Sequence, residues 1–242
     1  HRKNYFYPDM PKAYQISQYD QPLNIDGWLD LPDGTRIGVE RAHLEEDTGK
    51  SSHVGGDGRI HGSEGSLIDF NRAGVPLLEI VSEPDLRSSA EAGAYLRALR
   101  EILLFADVSD CSMEEGSLRV DANVSARPFG QQAFNTRTEI KNVNSFSNVE
   151  RALELEFARH CAVHDAGGTV VQETMLFDAA ADRVRAARSK EGSHDYRYFP
   201  EPDLVPIAPS REWVEKLRAT LPENPAVRRA RLIEAWGITE LD

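Results

Sequence analysis

The run His43-Leu44-Glu45-Glu46-Asp47-Thr48-Gly49-Lys50-Ser51 joins two chemistries that oppose each other. Gly-Lys-Ser is how a phosphate-cradling loop closes, yet three consecutive acids precede it, and carboxylates repel phosphates. A nucleotide-triphosphate loop also needs glycine five positions before its Gly-Lys, fed by an apolar strand; Leu44 stands at that position and no such strand precedes it. Carboxylates on Glu45, Glu46 or Asp47, with isolated acids elsewhere, are instead the hard oxygen ligands that Mg²⁺ requires, and Mg²⁺ keeps waters and bridges to substrate phosphates. It would supply the positive charge the acids call for.

Glu79 strengthens that reading. It interrupts the apolar run Pro76-Leu77-Leu78-Glu79-Ile80-Val81, so it is expected to point inward from a mostly buried strand, where a carboxylate needs a metal or a cation. A buried ion pair with Arg72 or Arg119 would satisfy it equally. Further along, Gly116 to Pro128 alternates cleanly: Leu118, Val120, Ala122, Val124 and Ala126 take one face, and Arg119, Asp121, Asn123, Ser125 and Arg127 the other. That polar face is either solvated or the floor for a charged ligand. Arg137, Glu139 and Lys141 mark a second strand of the same kind. His160 and His164 stand one helical turn apart, with Glu156 a turn before; the spacing could hold zinc, and the exposed face of a last helical turn explains it equally. Acids for a metal, basic residues for a transferred group and a mixed sheet to hold them suffice for phosphoryl transfer, which is mostly positioning and charge neutralisation.

The elements that must position these groups follow from pattern. Gly-Trp-Leu-Asp-Leu and Arg-Ile-Gly-Val-Glu, separated by Pro32-Asp33-Gly34-Thr35, read as a β-hairpin. The glycine-rich segment over 54 to 65 fails the dinucleotide fingerprint, because His61 stands where its third glycine belongs, and reads as a flexible hairpin tip. A helix begins at Ser88 with Glu91 as capping partner and buries Tyr95, Leu96, Leu99, Ile102 and Leu103. A second runs from Ser147 to Gly167-Gly168, a strand covers Val170 to Asp178, and two short helices follow, capped by Ser210 and Asn224 and closed by Gly237. Strands give way to pure helix near Pro209, which places a boundary there: residues 1–208 and 209–242. The 242 residues carry 40 acids against 28 Lys and Arg, a formal charge of −12, which disfavours nucleic acid held by bulk attraction. Two cysteines outside any Cys-x-x-Cys motif, no apolar run near the roughly 20 residues of a membrane span and no signal peptide lead to an expectation of a cytoplasmic protein.

Long strings then carry a resemblance: RKNYFYPDMPKAYQISQYDQP, HLEEDTGK, LIDFNRAGVPLLEIVSEPD, MEEGSLRVDANVS, TEIKNVNSF and EGSHDYRYFPEPDLVP. Together they resemble the B-subunit family of bacterial aspartyl/glutamyl-tRNA amidotransferases. The resemblance implies an α+β, glutamine-synthetase-like cradle with a mixed or antiparallel sheet and flanking helices, followed by the start of a helical domain. It implies phosphorylation, with MgATP, of the side-chain carboxylate of Glu on tRNA(Gln) or Asp on tRNA(Asn), then displacement of the phosphate by ammonia. The ammonia would come from the family's amidase partner, the A subunit, in a complex that also holds a small C subunit. By the same resemblance Glu45 or Glu46, Glu79 and His43 look like Mg²⁺ ligands, and Lys3 and Lys12 resemble polar residues near the kinase site and the ammonia path. Arg119, Asp121, Asn123, Lys141 and Arg197 would hold phosphate or the aminoacyl end.

The sequence departs from the family pattern in places. A family segment carrying Glu-x-His does not precede His1, and the tRNA-docking helical and tail domains do not follow the first helices after Pro209, so a fragment with an incomplete site is expected. The glycine-rich segment looks longer than in the family and has no functional account. Two other classes compete: a small-molecule ATP-dependent ligase of the same fold, and a non-catalytic protein that only docks tRNA.

Overall fold

The computed structural model describes residues 1–54, 65–187 and 196–239. Most of the glycine-rich segment expected as a hairpin tip, residues 55–64, lies outside them. The chain divides into two compact units: His1–Trp28, Gly38–Asp85 and Gly192–Pro209 form one, and Leu29–Ile37, Leu86–Glu191 and Ser210–Asp242 the other.

The first unit is built from β-pairs. Strand β1 (Arg2–Asn4) pairs antiparallel with β2 (Tyr14–Ile16). Strands β3 (Asn24–Asp30), β4 (Arg36–Glu46) and β7 (Pro76–Ser82) form a sheet in the order β3-β4-β7, β4 and β7 running antiparallel. Strands β5 (Lys50–Val54) and β6 (Gly65–Asp69) make a separate antiparallel pair. The hairpin expected from Pro32-Asp33-Gly34-Thr35, whose residues are counted with the second unit, joins β3 to β4: the Leu31 N–H donates to the Thr35 carbonyl at 2.8 Å, the Thr35 N–H donates to the Asp33 carboxylate at 2.9 Å, and Gly34 takes a φ of +85°. Gly49 is explained by close approach. A Cβ there would lie 2.9 Å from the Asp69 carbonyl oxygen and 3.1 Å from that of Asp9, and the Gly49 N–H donates to Asp9. Lys50 then opens β5, so Gly-Lys-Ser here is the entry to a strand.

The second unit contains a parallel crossover. Strand β9 (Thr138–Lys141) leads through helix α2 (Phe146–Asp165) to β10 (Thr174–Asp178), which lies parallel to β9; β8 (Ala122–Val124) and β11 (Arg183–Ala186) flank them antiparallel, in the order β11-β10-β9-β8. Helix α1 (Ser89–Phe105) packs on α2. Its Ser88 hydroxyl accepts from the Glu91 N–H, while the Glu91 carboxylate reaches back to the Arg87 N–H, one residue before the expected capping-box partner. The core holds Ile37, Tyr95, Leu96, Ile140, Val149, Ala152, Met175 and Phe177, with Leu29 and Leu31. Helices α3 (Arg211–Thr220) and α4 (Pro225–Trp236) follow, capped by Ser210 and Asn224, with Gly237 in the left-handed conformation that closes α4. The described fold is thus a mixed α+β structure with several sheets and four helices, none long and apolar enough to cross a membrane.

Three expectations need correction. The long strand over Gly116 to Pro128 is regular only at Ala122–Val124, because β9 offers only three partners, although apolar positions still alternate with exposed Arg119, Asp121 and Asn123. Strand β7 closes one side of its sheet and is only half-buried, so the Glu79 side chain is 42% exposed; Arg72 meets Asp47 instead, at 3.3 Å. Finally, Glu156 and His160 are not on an exposed face: both are fully buried. Thr138 donates to the Glu156 carboxylate at 2.7 Å, Arg159 donates to both its oxygens at 2.6 and 2.9 Å, and His160 Nε2 lies 3.2 Å away. The carboxylate is satisfied by protein donors and needs no zinc. Burial opposes its charge, but Arg159 and Thr138 outweigh that and hold its pKa below the usual value.

Candidate functional site

Strand alternation decides which acids meet. In β4 the side chains of Arg41, His43 and Glu45 take one face, and those of Leu44 and Glu46 the other. His43 stands directly opposite Glu79 of β7, so Glu79 joins the His43 face. His43 Nε2 is 3.6 Å from Glu79 Oε2 and 3.9 Å from Glu45 Oε2. One ligand atom from each of the three residues lies within 4.8 Å of the others, and among the described residues this is the one such gathering of metal-ligating groups.

His43 is the unusual member. It is fully buried, and neither ring nitrogen has a hydrogen-bond partner among the described residues. Burial pushes its pKa below 6.5; Glu79 and Glu45 pull upward without reversing this, and Arg41 and Lys3 push down. A neutral imidazole is therefore held beside two carboxylates, and a neutral imidazole is a ligand with a lone pair to offer. Two carboxylates and one such nitrogen fit a divalent cation. Cations of the protein flank the acids: Lys3 Nζ lies 3.5 Å from Glu45 Oε2, and Arg41 Nη2 lies 3.9 Å from Glu79 Oε1. The Ser17 hydroxyl donates to Glu45 at 3.3 Å.

Other expected residues are placed differently. Glu46 accepts from Lys12 Nζ at 2.5 and 2.7 Å and from the Ile16 N–H at 2.8 Å, so Lys12 and Glu46 form a pair of their own. Arg119, Asp121, Asn123 and Lys141 belong to the second unit, where Lys141 Nζ contacts Asp121 at 2.7 Å and Glu139 at 3.4 Å. Burial works against the Lys141 charge, but the hydrogen bonds and charges of Asp121 and Glu139 together outweigh it and raise the pKa. Arg197 belongs to the first unit, exposed, with a φ of +44°.

The sequence reading missed an aromatic wall. Tyr19 stacks on Tyr198 with centroids 5.4 Å apart at 15°, meets the His43 ring edge-on at 5.8 Å, and carries the Arg41 guanidinium 4.7 Å over its ring. Burial, then the Glu45 charge, pushes the Tyr198 hydroxyl pKa up. Arg41 was legible as the residue two before His43 on one strand; Tyr19 and Tyr198 left no local signal.

With this geometry in place, comparison with known proteins is informative. Residues 1–215 match the model of the GatB/GatE catalytic domain. The chain is 58% identical over 252 residues to the B subunit of the aspartyl/glutamyl-tRNA(Asn/Gln) amidotransferase of Thermobifida fusca, covering 99% of this chain and 48% of that protein. It is 56% identical over 250 residues to the protein of the same name from Streptomyces coelicolor, covering 100% of this chain and 50% of that protein. The chain thus spans about half the length of these curated relatives. The chain belongs to the GatB/GatE catalytic-domain family.

Proposed function

We propose that this chain carries the ATP-dependent half of a tRNA-dependent amidotransferase, activating the side-chain carboxylate of Glu on tRNA(Gln) or Asp on tRNA(Asn). The observation that carries this reading is the buried, unpartnered imidazole of His43 within 4 Å of Glu45 and Glu79. His43, Glu45 and Glu79 would hold Mg²⁺, which when bound offsets the charge of the nucleotide phosphates. A carboxylate oxygen of the aminoacyl group attacks the γ-phosphorus of ATP. The bond to the bridging oxygen breaks, and ADP leaves with that electron pair. Ammonia then attacks the acyl carbon, phosphate leaves, and the amide remains after loss of a proton. Lys3 positions Glu45, and the wall of Tyr19 and Tyr198 keeps water from the carboxylate. The Lys12–Glu46 pair stands on the other side of β4, suited to the passage of ammonia.

The name shared by the relatives supports the substrates. Its designation as a B subunit supports a multi-subunit assembly. We propose in addition that the partners are an amidase A subunit and a small C subunit in the cytoplasm, and that residues 1–208 form a glutamine-synthetase-like cradle with residues 209–242 opening a helical domain. On this reading Arg119, Asp121, Asn123, Lys141 and Arg197 hold phosphate or the aminoacyl end.

The test is ADP formation by the full-length protein assembled with its partners, with and without Glu-tRNA(Gln), in wild type and Glu79→Gln. ADP release that needs tRNA and drops at least about 100-fold in the variant is expected. Equal release by both would make Glu79 a structural ion-pair partner. Release by neither would favour a protein that only docks tRNA.

A further inference from the structure

We infer that Arg41 contacts the phosphoryl group in transfer, and that Tyr19 is the residue that positions it. The inference deepens the proposed function and rests on His43, Glu45 and Glu79 holding a divalent cation.

Four observations converge. Arg41 occupies the same β4 face as His43 and Glu45, two positions along, so its guanidinium adjoins the acids; Nη2 is 3.9 Å from Glu79, beyond hydrogen-bond length. The β4–β7 ladder breaks at this place. Val39 pairs with Ser82 and Arg41 with Val81, leaving Glu40 as an extra residue, and such a bulge re-aims neighbouring side chains. Glu40 then holds Nη1 at 2.6 Å. The plane of the guanidinium is also set: it lies over Tyr19, which is itself fixed by Tyr198 and by the edge of His43. Finally, Arg41 Nε is buried and has no hydrogen-bond partner among the described residues.

A counter-ion whose only task was to neutralise Glu79 would close on it and leave no buried donor unsatisfied, since an orphaned buried N–H is costly. Arg41 instead stops short of Glu79 and retains a donor. A guanidinium matches two oxygens of a phosphoryl group with parallel N–H donors, and its charge does not depend on pH. Lys3 stands at Glu45 in the corresponding place, so the two acids are bracketed by cations. In the transfer step Arg41 donates to the peripheral oxygens of the γ-phosphoryl group while the bridging bond breaks, and it exchanges no proton.

The test uses the full-length assembled enzyme, with single-turnover ADP formation from ATP and Glu-tRNA(Gln) and with Mn²⁺ affinity measured by EPR without nucleotide. Arg41→Ala should lower the rate about 10²- to 10³-fold, as loss of one preorganised donor does, while Mn²⁺ binds as tightly as in wild type or tighter, a nearby positive charge having been removed. Added guanidinium should restore at least about tenfold of the rate. Tyr19→Phe, which keeps the ring, should retain most of the wild-type rate, and Tyr19→Leu should lose at least about tenfold. A rate within about threefold of wild type for Arg41→Ala would overturn the assignment. So would parallel loss of Mn²⁺ affinity, which would make Arg41 a purely structural part of the site. Absence of tRNA-dependent ADP in the wild type would instead sink the kinase reading beneath it.

Discussion

Glu79→Gln is the perturbation that bears most directly on the metal site, because glutamine keeps the shape and removes the charge. The Glu79 side chain is 42% exposed, so water-like screening is the appropriate lower bound. A unit charge and a divalent ion about 4 Å apart then interact by about 2 kcal/mol. That corresponds to a Kd about 30-fold weaker. At a Mn²⁺ concentration about 100 times the wild-type Kd, binding stabilises the wild type by about 2.7 kcal/mol and the variant by about 0.9 kcal/mol. For a folding unit of this size the melting temperature should rise by roughly 5–11 °C in wild type and by roughly 2–4 °C in the variant. The assay is Mn²⁺ titration by EPR, followed by thermal melts of the full-length protein with and without the ion. Glu46→Gln serves as the internal comparison: Glu46 lies on the opposite face of β4 with Lys12, so its Kd should stay within about threefold of wild type. Equal weakening by the two variants, or a Glu79→Gln Kd within about threefold of wild type, would refute the assignment of ligands by strand alternation.

Other consequences concern stability and pH. Burial lowers the pKa of both His43 and His160. Below about pH 6.5 the unfolded chain binds protons that the folded one resists, so stability should fall as pH drops through that point toward the lowered native values. Around His160 the charged and titratable neighbours are Glu156, Arg159 and His164, and His160→Gln should flatten the acid limb in urea melts collected from about pH 7 to 5. Thr138→Val removes a donor to the buried Glu156 carboxylate and should cost about 1–3 kcal/mol by the same measurement. Gly49→Ala must push apart the Asp69 and Asp9 carbonyls, at about 1–3 kcal/mol, visible as a lower denaturation midpoint. Ile140→Ala, at a fully buried core position, should cost about 2–5 kcal/mol.

Local code was sufficient for much of the scaffold. Helix starts at Ser88, Ser210 and Asn224 follow from side-chain oxygens that accept orphan N–H groups, whereas α2 is capped by Ser145, two residues before the expected start at Ser147. Gly34 and Gly237 sit where a left-handed backbone is needed. The acid-rich run after His43 and the lone Glu79 in an apolar run marked the candidate ligands before any contact was known, and long motifs carried the family resemblance. The failures share one cause: they concern burial and pairing that only distant segments supply. Whether Glu156 and His160 were exposed depended on β9 bringing Thr138 over α2, since helical spacing alone describes a buried polar stripe and a solvated one equally. Glu79 looked buried because an apolar run does not reveal whether a strand is central or closes one side of a sheet. The choice between Glu45 and Glu46 needed the β4–β7 register, and the wall of Tyr19 and Tyr198 needed residues far apart in the chain to meet. Sequence by itself determined the ligand types and the two short runs that carry them; tertiary pairing decided which of them face one another, because a hydrogen-bonded register is a property of two strands and is written in neither alone.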